Sequence, residues 1–229
     1  MIITPSDHII DGKETYETAI KEAVEKAKQG HIVTFGIVPT KPETGYGYIE
    51  RKGDDVISFR EKPNQVSARD YIAKGNFLWN SGMFCFKAGV LLDELKAFVP
   101  EVYAKSKLVW DANTNGNLDL NLSLDIPSIS IDYAVMERSK KIKVVSASFS
   151  WSDLGSFESV YDYLVSIGHP VDENGNMVIG TDTYTAFIGV KDTIFVYTPT
   201  ANLILKKECS QDVKSLYRKL EIKNSPLLD

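Results

Sequence analysis

The sequence predicts an α/β protein, a sheet with flanking helices followed by a small β-rich C-terminal segment. Three observations carry this. Residues 14–29 place Tyr16, Ala19, Ile20, Ala23, Val24 and Ala27 at three-four spacing, the signature of an amphipathic helix. The run HIVTFGIVP, residues 31–39, is almost continuously apolar, as expected for a strand covered on both faces. After Gly168-His169-Pro170 the pattern changes to short strands separated by turns.

The chain has 229 residues, enough for one good-sized domain or a domain with an appendage. The boundary at Gly168 predicts a first domain over residues 1–168 and a β-rich appendage with a terminal helix over 169–229. A hydrophobic content of 43% and a charged content of 25% fit an ordinary soluble domain. The net charge is -5 and Lys and Arg are scattered, so nucleic acid and anionic membranes are not expected partners. No apolar run approaches the roughly 18 residues of a membrane span, and MIITPSDHII lacks the basic and apolar regions of a signal peptide. Cys85 and Cys209 are far apart, and His8, His31 and His169 are too few and scattered for a zinc site. Reduced thiols and a cytoplasmic location follow as expectations.

Taken in order, residues 1–4 read as a short buried strand. With the helix ending at Gly30 and the next strand, they make a β-α-β crossover and a parallel pair. A chain opening on a buried strand suggests a preceding segment supplied elsewhere. Residues 48–52 and 56–61 form a hairpin around Gly53-Asp54-Asp55. Residues 65–74 are a short helix ended by Gly75, and residues 77–86 a strand interrupted at Asn80-Ser81-Gly82. Pro100 separates two helices, residues 89–98 and 101–110, and a polar loop, DANTNG, follows. Asp132 caps the next helix or lines a site. A strand at 143–147 leads to the polar turn SWSDLG and a helix carrying Phe157, Val160, Tyr161, Leu164 and Val165 on one face. The tail predicts strands at 177–179, 185–190, 194–197 and 203–206, a hairpin-type turn at Asn174-Gly175, and a helix over 211–220.

Candidate chemistry concentrates between Gly36 and Phe86. Gly45 and Gly47 bracket Tyr46, which lets the backbone approach another group closely. Pro63 ends a strand and leaves Lys62 near a rim, where a compact cation suits a phosphate. Glu61 suits sugar hydroxyls as a two-oxygen acceptor, although the two residues also read as a surface charge pair. Asn80 in an apolar strand needs partners, either a ligand hydroxyl or neighbouring backbone. Trp79 and Trp151 read as core. Asp7 and Asp153 both follow predicted strands. Each is a turn aspartate or one of two carboxylates holding Mg²⁺ together with substrate phosphates.

The motifs PSDHII, TFGIVPTKPETGYGYI, FREKP, FLWNSGMFCF, SIDYAVMER and WSDLGSF, in that order over residues 1 to about 160, resemble the bacterial mannose-1-phosphate guanylyltransferases, or GDP-mannose pyrophosphorylases. The resemblance implies a Rossmann-like, GT-A-like nucleotidyltransferase sheet. It implies the reaction of GTP with mannose 1-phosphate to give GDP-mannose and pyrophosphate, with Mg²⁺ as cofactor and a homodimer as a possible assembly. It implies that Asp7 and Asp153 ligate the metal, that Gly47, Glu61, Asn80 and Asp132 contact the sugar, and that Lys62 contacts the phosphate. The family's loop of the type GGxGxR, which cradles the triphosphate, has no match here. The nucleotidyltransferase domain is therefore expected to be N-terminally truncated, a sugar and metal half that is inactive alone. The alternative is a non-catalytic module that binds sugar phosphate or mediates assembly.

Overall fold

The computed structural model describes residues 1–228. Packing divides the chain into two compact units, Met1–Trp151 and Ser152–Asp229.

The first unit is built on a six-stranded mixed sheet. Its strands are β1 (Ile2–Ile3), β3 (Ile32–Ile37), β4 (Tyr48–Lys52), β5 (Asp55–Arg60), β6 (Phe77–Cys85) and β7 (Ile142–Ala147), ordered β1-β6-β3-β7-β5-β4. Two shorter strands, β2 (Ile9–Asp11) and β8 (Ser150–Ser152), pair separately. All six residues of β3 are buried, as its apolar run requires. Its odd positions, Val33, Phe35 and Ile37, join the core beneath helix α1 (Lys13–Lys28), with Ala19, Ala23 and Ala27 of that helix. Ile32 faces the opposite core, with Leu78, Phe84, Val135 and Val144. That core is covered by α3 (Ala88–Phe98); α4 (Pro100–Asp111) packs on α3, and the short α5 (Leu120–Leu124) on α4. Alternation along one buried strand therefore feeds two hydrophobic cores.

Between β5 and β6, α2 (Gln65–Lys74) starts where the Asn64 side chain accepts a hydrogen bond from Ser67 N–H at 2.9 Å and stops at Gly75, φ 70°. The glycine stop is the one expected from the sequence, and the asparagine cap adds to it.

Three sequence expectations change. β1 pairs antiparallel with β6 at the edge of the sheet, and Ile2 and Ile3 are 43% and 40% exposed, so the strand forms but is not buried. β1 and β3 run the same way, as the crossover requires, but β6 lies between them and antiparallel to both. The parallel neighbour of β3 is β7, more than a hundred residues later in the chain. The interruption at Asn80-Ser81-Gly82 is a register shift in the β3–β6 pairing, around which β6 stays continuous.

The second unit packs α6 (Phe157–Ser166) against a three-stranded sheet, β11-β10-β9, made of β9 (Met177–Ile179), β10 (Thr193–Tyr197) and β11 (Asn202–Lys206). Its core is Tyr161, Met177, Ile194 and Leu205, bordered by Phe157 and Leu164. α6 thus packs with the β-rich unit. Asn174-Gly175 makes a tight turn but no hairpin, because β9 pairs parallel with β10. Residues 185–190 form no strand. Left-handed Gly189 (φ 74°) lies within the stretch and breaks its extended backbone. A last helix, α7 (Val213–Ile222), closes the unit.

Candidate active site

At the site, the first unit brings a glycine backbone, two carboxylates and an amide close together. Gly47 immediately precedes β4, and its carbonyl accepts a hydrogen bond from Asn80 N–H of β6 at 2.8 Å. A Cβ on Gly47 would lie 2.7 Å from Glu61 Oε2 and 3.5 Å from Asn80 Cβ, so only glycine fits with Glu61 where it is. The preceding loop is held by Tyr48, whose hydroxyl donates to the Glu43 carbonyl at 2.9 Å, and by Gly45 N–H, which donates to Glu43 Oε1 at 2.9 Å.

Glu61 follows β5 directly, and its side chain is 13% exposed. The Lys62 ammonium lies 3.2 Å from Glu61 Oε1 with its own side chain 64% exposed, so it reaches over the rim. Lys62 adopts φ 42° although a proline follows it. A non-glycine residue in the left-handed region costs on the order of 1–3 kcal/mol and persists where the surroundings fix it, often at functional sites.

The Asn80 amide is oriented by its partners. Its Oδ1 accepts from Gly82 N–H at 3.2 Å and from the fully buried Thr34 hydroxyl at 3.0 Å. Its Nδ2 donates to Asp132 Oδ1 at 3.3 Å. Asp132 opens a π-helical turn, Asp132–Met136, whose Ala134, Val135 and Met136 are buried in the second core. The cap position of that turn is Ile131, and the Asp132 carboxylate accepts from Asn80. Burial, and then the nearby Glu61 carboxylate, push its pKa up to about 6, while the Lys62 ammonium pulls the other way.

Asp7 stands exposed in the turn between β1 and β2. It does not cap α1, whose cap position is Gly12. Its neighbours Pro5 and His8 approach left-handed Gly82, at 3.6 and 3.9 Å from where a Cβ would sit, two residues beyond Asn80. His8 Nδ1 accepts from Trp151 Nε1–H at 3.2 Å. Trp151 meets the Tyr46 ring edge-on at 5.2 Å, and Tyr46 meets Trp79 at 5.1 Å. An aromatic chain thus ties the Asp7 turn to the Gly45–Gly47 backbone.

Asp153 belongs to the second unit. Its Oδ1 accepts from Gly155 N–H at 2.9 Å in a turn where Leu154 has φ 48°. Ser156 then caps α6 in a reciprocal pair with Ser159. The first unit therefore brings together Gly47, Glu61, Lys62, Asn80 and Asp132, and places the Asp7 turn beside Gly82. Asp153 is fixed locally within its own unit. No group of three or more His, Cys, Asp or Glu side chains is placed to hold a metal among the described residues. Asp7 and Asp153 each carry carboxylate oxygens of the kind a hard cation takes.

Sequence reasoning missed Thr34, His8 and the role of Tyr46. Thr34 had a signal, since it is the lone hydroxyl in HIVTFGIVP. The ring chain had none, because Tyr46 and Trp151 are neighbours only through the fold.

Comparison with known proteins shows which proteins the chain resembles. The chain is 37% identical over 241 residues to a mannose-1-phosphate guanylyltransferase of Klebsiella pneumoniae, covering 93% of this chain and 50% of that protein. The chain spans about half the length of the curated relatives it matches. A Thermus thermophilus crystal structure described as a mannose-1-phosphate geranyltransferase superposes with TM-score 0.80 at 27% identity, over 96% of this chain and 69% of that one. A Helicobacter pylori mannose-6-phosphate isomerase structure matches with TM-score 0.63 at 41% identity, over 66% of this chain and 63% of that one. Residues 170–220 match the MannoseP isomerase/GMP-like beta-helix domain. Residues 1–168 match the Nucleotidyl transferase profile, and the chain belongs to that family.

Proposed function

We propose that this chain forms the sugar-phosphate half of a mannose-1-phosphate guanylyltransferase, which joins GTP and mannose 1-phosphate into GDP-mannose and pyrophosphate. The observation that carries the reading is the convergence of Glu61, Asn80 and Asp132 around the Gly47 backbone, with the Lys62 ammonium at the rim. Glu61 and Asp132 accept hydrogen bonds from sugar hydroxyls, and the Asn80 amide, fixed by Thr34 and Gly82, sets their orientation. Lys62 pairs with the sugar phosphate and holds it so that one phosphate oxygen attacks the nucleotide α-phosphorus in line. Asp7, and separately Asp153, each offer carboxylate oxygens of the kind that would hold Mg²⁺, and the ion would neutralise charge on the pyrophosphate leaving group.

We place the reaction in the cytoplasm, in keeping with two cysteines that are not joined to each other. No helix among the described residues is long and apolar enough to cross a membrane.

Calorimetric titration of the chain with mannose 1-phosphate tests the reading. Saturable binding is expected, and Asn80→Ala should weaken it about tenfold or more, as expected for loss of an orienting hydrogen bond to a charged group. Absence of binding by a folded wild-type chain would refute it.

The 229 residues contain no GGxGxR-type loop, and a non-catalytic sugar-phosphate module is the second reading. No GDP-mannose synthesis is expected from this chain by itself, and synthesis by the purified chain would show that expectation wrong. Activity gained on adding a polypeptide that carries such a loop, and lost again in Asp153→Asn, would decide for the enzyme. Persistent inactivity alongside intact sugar-phosphate binding would decide for the module.

A further inference from the structure

Acidic residues outnumber basic ones over the whole chain, 31 to 26. The long helices α1 and α4 balance the two signs. α1 carries four lysines against four glutamates, and Lys26 and Lys28 pair with Glu22 and Glu25. In α4, Lys105 and Lys107 pair with Glu101 and Asp111. α7 is the exception. With its cap residue Lys223 it carries Lys214, Arg218 and Lys219, against Glu221 alone. All four basic side chains are exposed, and among the described residues none of them lies in an ion pair. Lys214 donates to the neutral Gln211 side chain at 3.3 Å.

The helical period decides which way these charges face. Val213 packs against the core of the second unit, and Leu220, seven residues on, is half-buried on the same side. Lys214, Arg218 and Ile222 follow one another at four-residue spacing away from that side, with Lys219 and Lys223 in the adjacent row. Ile222 is 81% exposed and has Arg218 and Lys219 as its neighbours one turn back. The outward face is thus a basic stripe with one large apolar side chain standing in it.

We propose that this outward face of α7 docks the chain on an anionic lipid surface. The occupant follows from charge and shape. Four cations without carboxylate partners complement a field of anionic headgroups, and each adds to the attraction. A helix ridge is convex, so it meets a flat surface along its length and offers a peptide no groove. Ile222 dips between the headgroups while its basic neighbours stay at the level of the phosphates, the make-up of an interfacial helix. The rest of the chain is net negative, so the contact acts only within the roughly 10 Å that charges reach at about 0.1 M salt. It is therefore weak, reversible and sensitive to salt. This inference concerns where the chain sits and is independent of the proposed reaction.

Co-sedimentation of the full chain with vesicles tests it. Phosphatidylcholine vesicles containing about one third phosphatidylserine should carry the chain down at about 50 mM salt, and vesicles of phosphatidylcholine alone should not. Raising the salt to about 500 mM should release it. Arg218→Gln and Lys219→Gln should each lower the affinity roughly fivefold, and together more than tenfold. Ile222→Ser should lower it several-fold and leave the salt dependence unchanged. Lys52→Gln, at an exposed lysine of the first unit, is the control and should bind as wild type does. The α7 side chains changed are exposed, so the fold is retained, and circular dichroism checks that. A chain that stays unbound with the anionic vesicles overturns the proposal and assigns the stripe to a soluble acidic partner instead. Equal binding to both kinds of vesicle overturns it too, as does anionic binding that the α7 variants leave unchanged.

Discussion

Asp132→Asn is expected to make the protein more stable and a poorer binder of mannose 1-phosphate. The native carboxyl is pushed up from 3.8 to about 6, first by burial and then by Glu61. Its folded pKa lies above its unfolded one. The contribution of this group to stability is therefore fully present below about pH 4, and is lost as the pH rises toward and through 6. Above that the folded state holds a carboxylate that the unfolded chain would hold at no such cost. A shift of this size corresponds to roughly 3 kcal/mol without screening, and partial solvent contact brings the expectation to about 1–2 kcal/mol. Asparagine keeps an oxygen that can accept from Asn80 Nδ2 and removes the charge. Thermal unfolding should show the variant ahead of wild type at about pH 7.5 and level with it at about pH 4. Equal melting curves at both pH values would show that the charge carries no cost. Binding should move the other way. A neutral amide is a weaker acceptor for a sugar hydroxyl than a carboxylate, a difference of about 1–2 kcal/mol or roughly tenfold. In wild type, occupancy of the site should favour the ionised form, so affinity should fall as the pH drops below about 6.

The same residue shows where the sequence stops being informative. An amide in an apolar strand announced that Asn80 needed partners, and the glycines around Tyr46 announced a close backbone approach. Both were legible because they break a local pattern. That Asp132 supplies one of the partners was not legible from spacing, because 52 positions separate the two and no local rule links them. The fold divides in the same way. Alternation and caps define β3, α1 and α2 to within a residue or so. The sheet order does not follow from them, which is why β1 was expected to be buried and lies at an edge. The stretch from Thr185 reads as a strand by composition. Whether it pairs depends on what lies beside it, and among the described residues nothing does.

Gly47→Ala should abolish measurable sugar-phosphate binding while leaving the fold intact, and Gly36 is the control that gives this meaning. At Gly36 in β3, an added Cβ would sit 2.5 Å from Leu78 Cδ1, 2.8 Å from Leu78 Cβ and 2.9 Å from Val144 Cγ2. Leu78 and Val144 belong to a core that cannot give way, so Gly36→Ala should cost about 1–3 kcal/mol of stability by overpacking. At Gly47 the obstructing atom is Glu61 Oε2, at 2.7 Å, the far end of a side chain that can swing outward. The new methyl then displaces the one carboxylate that Gly47 was shaped to admit and occupies part of the space meant for ligand. Loss of a charge-assisted hydrogen bond together with a steric block amounts to about 3 kcal/mol or more, over a hundredfold in affinity. The melting temperature should stay within a few degrees of wild type. Calorimetric titration and thermal unfolding of the two alanine variants side by side check the pair. Undiminished binding in Gly47→Ala would show that the space between Glu61 and Asn80 is not where the sugar phosphate sits. Joint loss of binding and stability there would place Gly47 with Gly36, as a residue the packing needs.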